Sequence, residues 1–151
     1  MIRPFRQQDM DALLEVWLLS SLQACDFISA SFWWLHQEEA QKRYLHCAEI
    51  WVAEEQQEVV GFMALVGDYL VALFVRPNEQ GRGVGKQMLE KAKGLRSRLV
   101  LRIFADNDVA VRFCQHQGFM ISRELIDETT QRSELLMEYS PRSPDYQQAM
   151  C

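Results

Sequence analysis

Apolar and polar positions follow two different rhythms along this chain. Ile2 to Phe5 can make a short strand, and around Asp9 and Asp11 the residues Met10, Leu13, Leu14, Trp17 and Leu18 recur at the spacing of one helix face. After a less regular stretch from Cys25 to Ser31, a second helical run is expected from Phe32 to His46, carrying Trp33, Trp34, Leu35, Tyr44 and Leu45. From Glu49 the period shortens. Ile50 to Ala53 and Val59 to Val66 are rich in apolar and β-branched residues and flank the polar segment Glu54 to Glu58, which predicts two antiparallel strands and a hairpin turn. Gly67 and Asp68 make a further turn, and Tyr69 to Val75 is a third apolar strand that Pro77 stops.

The helical period returns at Gly83. Val84, Met88, Leu89, Ala92 and Leu95 fall on one side, with an end predicted near Gly94 and a basic last turn of Arg96 and Arg98. Leu99 to Phe104 reads as the next strand. Asp106 or Asn107 can cap a helix running through Gln117, whose apolar face is Val109, Ala110 and Phe113 with Cys114 beside them, and Gly118 fits its C-terminal stop. Phe119 to Ile126 and Glu134 to Tyr139 complete the pattern. The order β, α, α, three strands, then α, β, α and two strands implies an α/β (mixed α+β) fold, a mixed sheet covered by helices. From residue 141 onward, Pro141, Pro144 and several polar residues show no buried pattern, so a loosely ordered tail is expected over 141–151.

Composition narrows the function classes. The 151 residues suit one compact domain, 48% of them are apolar, and no run is long enough to cross a bilayer. Met1 to Asp11 mixes Arg3, Arg6, Asp9 and Asp11 without an apolar block behind a basic start, so the expectation is a cytoplasmic protein with no membrane partner. Cys25, Cys47, Cys114 and Cys151 are scattered and lack zinc-type spacing with His36, His46 or His116, which predicts free thiols and no metal. A net charge of −5 with no basic stripe argues against nucleic acid and is compatible with a basic amine or a basic protein segment.

The segment Gln80-Gly81-Arg82-Gly83-Val84-Gly85-Lys86 lies between an apolar strand and an amphipathic helix. Free backbone N–H groups there point together with the positive end of the helix dipole, and absent Cβ atoms let phosphate oxygens approach the main chain. A Walker A loop ending in Gly85-Lys86 would need glycine at Gln80 and Ser or Thr at Gln87; a dinucleotide fingerprint would need glycine at Lys86 or at Met88. Both fail. Gln80-x-x-Gly83-x-Gly85 directly after Leu73-Phe74-Val75-Arg76-Pro77 instead resembles the acetyl-coenzyme A (acetyl-CoA) pyrophosphate loop of the GNAT superfamily of N-acetyltransferases. Asn107-Asp108-Val109-Ala110-Val111-Arg112-Phe113-Cys114 followed by Gly118-Phe119 is similar to that family's downstream cofactor helix, and the resemblance runs to about Tyr139.

The resemblance implies a single GNAT-like domain over residues 1–140, with about six or seven strands and about four helices. It implies an acetyl-CoA-dependent N-acetyltransferase, acting on a protein lysine, a protein N-terminus or a small-molecule amine by direct attack in a ternary complex, as monomer or homodimer. A non-catalytic acyl-CoA sensor or interaction module on the same fold is the alternative. Carried over position by position, the main chain of Leu73, Phe74 and Val75 would bond to the pantetheine arm between two splayed strands, and Gln80, Gly81, Arg82, Gly83, Val84, Gly85 and Lys86 would hold the pyrophosphate. Asn107 would bond to the arm from the other side, and Ala110 and Phe113 would line the thioester end. Many members carry a Tyr that protonates the departing sulfur; here that position is Cys114, a candidate acid. The strand from Tyr69 to Val75 lacks the base carboxylate of some relatives, and Tyr69 falls close to that position as a candidate to orient a water. The acceptor region of the family corresponds to Asp26, Phe27, Phe32 and Trp33, a carboxylate beside an aromatic wall suited to a cationic amine.

Overall fold

The computed structural model describes residues 1–24, 39 and 48–140. In chain order the elements are β1 (Ile2–Pro4), α1 (Met10–Ala24), β2 (Glu49–Glu55), β3 (Glu58–Val66), β4 (Tyr69–Val75), α2 (Val84–Leu95), β5 (Leu99–Phe104), α3 (Asp108–His116), β6 (Met120–Ile126) and β7 (Ser133–Tyr139), with short 3-10 turns at Gln7–Asp9 and Pro77–Glu79. The strands form one seven-stranded sheet in the order β1-β2-β3-β4-β5-β7-β6. β4 and β5 are parallel and every other neighbouring pair is antiparallel, the mixed sheet that the element order implied. The expected helix from Phe32 to His46, the acceptor candidates Asp26, Phe27, Phe32 and Trp33, and the tail 141–151 lie outside the described residues, so three helices stand among those described.

Strand alternation sends side chains to two cores, one on each face of the sheet. Met10, Leu13, Leu14, Trp17 and Leu18 of α1 are all buried, and they pack with Val52, Phe62, Ala64 and Ala72 on the first face. Val84, Met88, Leu89 and Ala92 of α2 cover Met63, Leu65, Leu99, Leu101 and Met137 on the second. Gly61 allows the close seating of that helix. A Cβ there would lie 2.8 Å from the Phe74 carbonyl oxygen and 3.1 Å from Met88 Cε, distances that only glycine accommodates without movement.

Three features depart from the sequence pattern by more than a residue or in the face they present. Glu54, Glu55 and Glu58 belong to strands, and the hairpin turn is only Gln56-Gln57, both left-handed at φ 52° and 68°, the two-residue geometry that matches strand twist. No Asn or Gly signals it. α2 ends at Leu95, so Arg96 and Arg98 fall outside the helix; Arg96 donates from Nε to the Gly67 carbonyl (2.8 Å) and pairs with Glu49 (2.8 Å), and Lys93 is the base in the last turn. Val109, placed on the apolar face of α3 by spacing, is 80% exposed, because the face that meets the sheet is carried by Cys114 and half-buried Phe113.

β1, the turn before α1 and β2 are joined by a buried charge cluster. Arg3 donates to both carboxylate oxygens of Asp9, at 2.8 and 3.0 Å, and from Nε to Glu54 at 2.7 Å. Asp9 also accepts the Arg6 N–H at 2.8 Å. The Arg3 guanidinium, helped by that N–H, holds the Asp9 carboxyl below its usual range despite burial. Removing one partner of such a pair strands the other, so Asp9→Asn is expected to lower stability by about 3 kcal/mol in chemical denaturation. A depressed folded pKa contributes stability that is complete above pH ~4 and lost as pH falls through the lower folded value. Wild type is therefore expected to show an acid limb below pH ~4 that is smaller in Asp9→Asn, measured as unfolding midpoints across pH.

Candidate functional site

β4 and β5 share one paired position, Tyr69 with Val100, secured by the Val100 N–H bond to the Asp68 carbonyl at 2.9 Å. Beyond it the strands part. β5 is paired with β7 from Leu99 to Phe104, and β4 with β3 along its length, so each half-sheet is complete up to the gap. Ala64 faces Ala72 whereas Leu65 faces Leu70, which leaves Val71 as the extra residue of a bulge on β4.

Antiparallel pairing decides which main-chain groups face the gap. The Arg76 N–H bonds to the Val60 carbonyl on β3 at 2.7 Å, so Phe74, two residues earlier, also turns its N–H and C=O toward β3. Leu73 and Val75 turn theirs toward the gap. The Val75 carbonyl accepts from Ser20 Oγ of α1 at 2.8 Å and from Gln80 Nε2 at 3.1 Å. Among the described residues, the Val75 N–H and both Leu73 groups thus remain to meet an amide-bearing chain. The expectation that Phe74 bonds through its main chain is corrected by this parity; its ring instead packs on the α1 face, 5.6 Å from that of Phe62. Ser20, buried on α1, was missed from sequence, where its only signal is a hydroxyl on an otherwise apolar helix face.

Past β4 the chain turns through Pro77–Glu79 into the glycine loop. Gly81 and Gly83 have φ of 82° and 84°, and an added Cβ at either would meet nothing within 4 Å, so backbone conformation and not crowding requires glycine. Gly83 is the N-cap of α2 and supplies no side-chain cap, which leaves the first-turn N–H groups of Val84, Gly85 and Lys86 without one at the positive end of the helix. Such an end can take an anion. Lys86 is exposed, and Arg82, with its side chain 70% exposed, rests 3.4 Å from Glu79 in a surface pair of small energetic weight. Gln80 secures the loop to the end of β4 through its bond to Val75.

α3 approaches from the far side of the gap. Asn107 caps it by accepting the Ala110 N–H at 3.3 Å, and half-buried Ala110 sits one turn before Phe113. A Cβ on Gly85 would lie 3.5 Å from Phe113 Cζ and 3.7 Å from Val75 Cγ2, so the end of β4, the start of α2 and the middle of α3 converge there. Phe113, expected at the thioester end, therefore stands at the loop end. Tyr69 lies at the closed end of the gap, about 20 Å from Val75 at a strand rise of about 3.3 Å per residue.

Cys114 faces the second core, 4% exposed, in the cluster that contains Leu89, Leu99, Phe119 and Met137. Burial pushes its thiol up to about 11. A donor that weak and that enclosed is unsuited to protonating a thiolate whose ordinary pKa is about 8.5, and the geometry gives Cys114 a packing role in place of the expected acid.

Comparison with known proteins adds to this geometry. The family model described as Acetyltransferase (GNAT) domain matches residues 46–121. The chain is 34% identical over 122 residues to the peptidyl-lysine N-acetyltransferase YiaC of Escherichia coli K12, covering 80% of this chain and 84% of that protein. It is equally similar, at 34% over 122 residues, to the peptidyl-lysine N-acetyltransferase YjaB of Salmonella typhimurium LT2, with 80% and 83% covered. Among solved structures, apo-form YjaB from Escherichia coli superposes with a TM-score of 0.82 at 29% identity, covering 92% of this chain and 96% of that one. The protein yncA of Salmonella typhimurium, solved with its cofactor acetyl-CoA, shares the fold at a TM-score of 0.65 and 19% identity, covering 93% and 92%.

The burial of Cys114 is open to direct test. In a variant whose Cys25, Cys47 and Cys151 are serine, a soluble aromatic disulfide at pH 7.5 is expected to modify Cys114 about 100-fold or more slowly in the folded than in the denatured protein.

Proposed function

The chain belongs to the GNAT acetyltransferase family, and from that premise we propose that its acceptor is the side-chain amine of lysine in a protein or peptide. The activity itself is that of an acetyl-CoA-dependent N-acetyltransferase. What favours lysine is the 34% identity to two relatives named as peptidyl-lysine N-acetyltransferases. The transferase names of these relatives leave the non-catalytic sensor without support.

The observation that carries the reading is the one-sided gap between β4 and β5, opening beneath an uncapped, glycine-rich helix start. Acetyl-CoA supplies the activated acetyl thioester, and the residues around the gap fit its parts. The first-turn N–H groups of α2, with Gly81 and Gly83, suit the two negative phosphates, and Arg82 and Lys86 add charge at the rim. Leu73 and the Val75 N–H suit an arm made of amides, which would take the place that a neighbouring strand leaves empty. The side-chain amide of Asn107, whose oxygen already caps α3, adds a donor from the opposite bank. Phe113 and Val75 then border the arm near its phosphate end, and Ala110, small and half-buried, leaves it room. Ser20 and Gln80 act on the site indirectly, fixing the carbonyl of Val75 so that the edge of β4 keeps one geometry.

A thermal-shift titration combined with thiol release tests this. Acetyl-CoA at about 100 times its Kd should stabilise the wild type by about 2.7 kcal/mol, and Gly83→Trp, which fills the loop and strains its backbone, should remove the effect. Thiol release should be faster with lysine peptides than with N-terminal amines or small polyamines. Absence of stabilisation at saturating acetyl-CoA would overturn the cofactor site, and turnover confined to small amines would overturn the lysine acceptor.

A further inference from the structure

Glu134 is a carboxylate in an unusual place. It is 9% exposed, and among the described residues its Oε1 is buried and accepts no hydrogen bond. On β7 it stands directly opposite Phe104 of β5 and Leu125 of β6. Leu135, Met137 and Tyr139 pack on the α2 face, so by strand alternation Glu134 projects to the other face, the one on which Phe104 and Phe74 join the α1 core. Arg102, on the same face of β5, brings Nη1 to 3.8 Å, an ionic approach without a hydrogen bond. A buried carboxylate oxygen left in this state lacks the donors its burial requires.

Its position relative to the gap gives the missing donor an identity. Phe104 ends β5 at the open side of the gap, and Phe74 is the last residue but one of β4 across from it, so two aromatic rings border the opening on the α1 face. The glycine loop, Gly85 and Phe113 gather on the α2 face. With acetyl-CoA entering from that side, the α1 face is where an amine reaches the acetyl group. One strand spacing beyond Phe104, about 5 Å, is the backbone of Glu134, whose side chain projects to that same face. The geometry points to Glu134 as the group that receives the acceptor's ammonium and takes its proton. This rests on the acetyl-transfer reading and supplies the base that the strand from Tyr69 to Val75 lacks.

The chemistry is consistent with that placement. One N–H bond of the ammonium breaks as an O–H bond forms on Glu134. The freed nitrogen lone pair makes the C–N bond, the C–S bond breaks with its electron pair on sulfur, and the second nitrogen proton goes to the thiolate. Glu134 returns its proton to solvent, so one proton is released per turnover. Burial between Phe104 and Leu125 raises the carboxyl above its ordinary range; Asp127 beyond β6 adds to this and Arg102 opposes it. Raising the carboxylate and desolvating the amine bring two otherwise mismatched pKa values together. Asp127 accepts from Thr130 through Oδ2, at 2.8 Å from the N–H and 2.7 Å from the hydroxyl, and it follows β6 at the sheet edge, two strands beyond β5.

Glu134→Gln keeps size and shape and removes the proton acceptor. Its kcat/KM at pH 7.5 is expected to fall about 100-fold, and the deficit to shrink to less than about tenfold near pH 10, where free amine no longer needs a base. Glu134→Asp should recover part of the loss. The acetyl-CoA thermal shift should be unchanged. Because the folded carboxyl is raised, its ionisation detracts from stability as pH rises, so the Gln variant should melt at or above the wild-type temperature at pH 7.5. A kcat/KM within about twofold of wild type with the same pH profile would overturn the assignment, as would a loss that accompanies a lower melting temperature and lost cofactor binding. Running lysine peptides and small amines side by side separates this from the lysine reading. Turnover of small amines alone ends the latter, and the wild-type to Gln ratio on those amines still decides the role of Glu134.

Discussion

A peptide group withdrawn from water needs a hydrogen-bond partner, and at β4 this sheet leaves that requirement open on one side. A single pairing of Tyr69 with Val100 joins β4 to β5, after which Leu73 and Val75 present main-chain groups to a gap. Much of the local architecture serves to keep that edge in a fixed state. The Val71 bulge sets the phase of the strand, β3 holds its other edge, and Ser20 and Gln80 converge on the Val75 carbonyl. An unpaired edge in a mobile strand would collapse onto its neighbour or recruit another chain; held by packing on both faces, it becomes a template for a ligand with the same alternation of donors and acceptors.

The two cores divide the labour. On the α2 face, Gly61 allows Met88 to sit close to the sheet, which fixes the helix whose uncapped first turn offers its N–H groups to an anion. On the α1 face, the Arg3–Asp9–Glu54 cluster ties the entrance of α1 to β1 and β2, and so fixes the helix that carries Ser20. A hydrophobic contact tolerates sliding. A bidentate ion pair in a desolvated setting does not, which suits it to positioning an element whose hydroxyl must meet one carbonyl oxygen.

Much of this was legible in the residues. The rhythm of apolar positions located β4, β5 and the start of α2 to within a residue or so, since their apolar runs are dense and sharply bounded, and the glycines marked the loop because left-handed backbone at Gly81 and Gly83 restricts the side chain. Local pattern failed where tertiary context decides. Gln56 and Gln57 adopt a turn usually written with Asn and Gly, because the flanking strands impose it. Val109 and Cys114 share one helix, yet the direction of the sheet puts the first in water and the second in the core. Glu134 reads as an ordinary polar residue in an alternating strand; its burial comes from neighbours distant in sequence, Phe104 among them, and no spacing rule records that. Which main-chain groups of β4 face the gap was equally hidden, since a one-residue bulge resets the parity.

Viewed as a mechanical object, the sheet is two ladders, β1 to β4 and β5 to β6, fastened at one rung. Within the sheet, widening the gap breaks little beyond the Val100 bond to Asp68, whereas α2 packs on residues of both halves and resists their separation, so the freedom lies at the open end of the gap. A chain of amides lying in the gap adds rungs to both ladders at once. Occupancy would then be felt as protection from hydrogen exchange across β4 and β5 together, and the enzyme would be a more rigid body while it holds its donor than between turnovers.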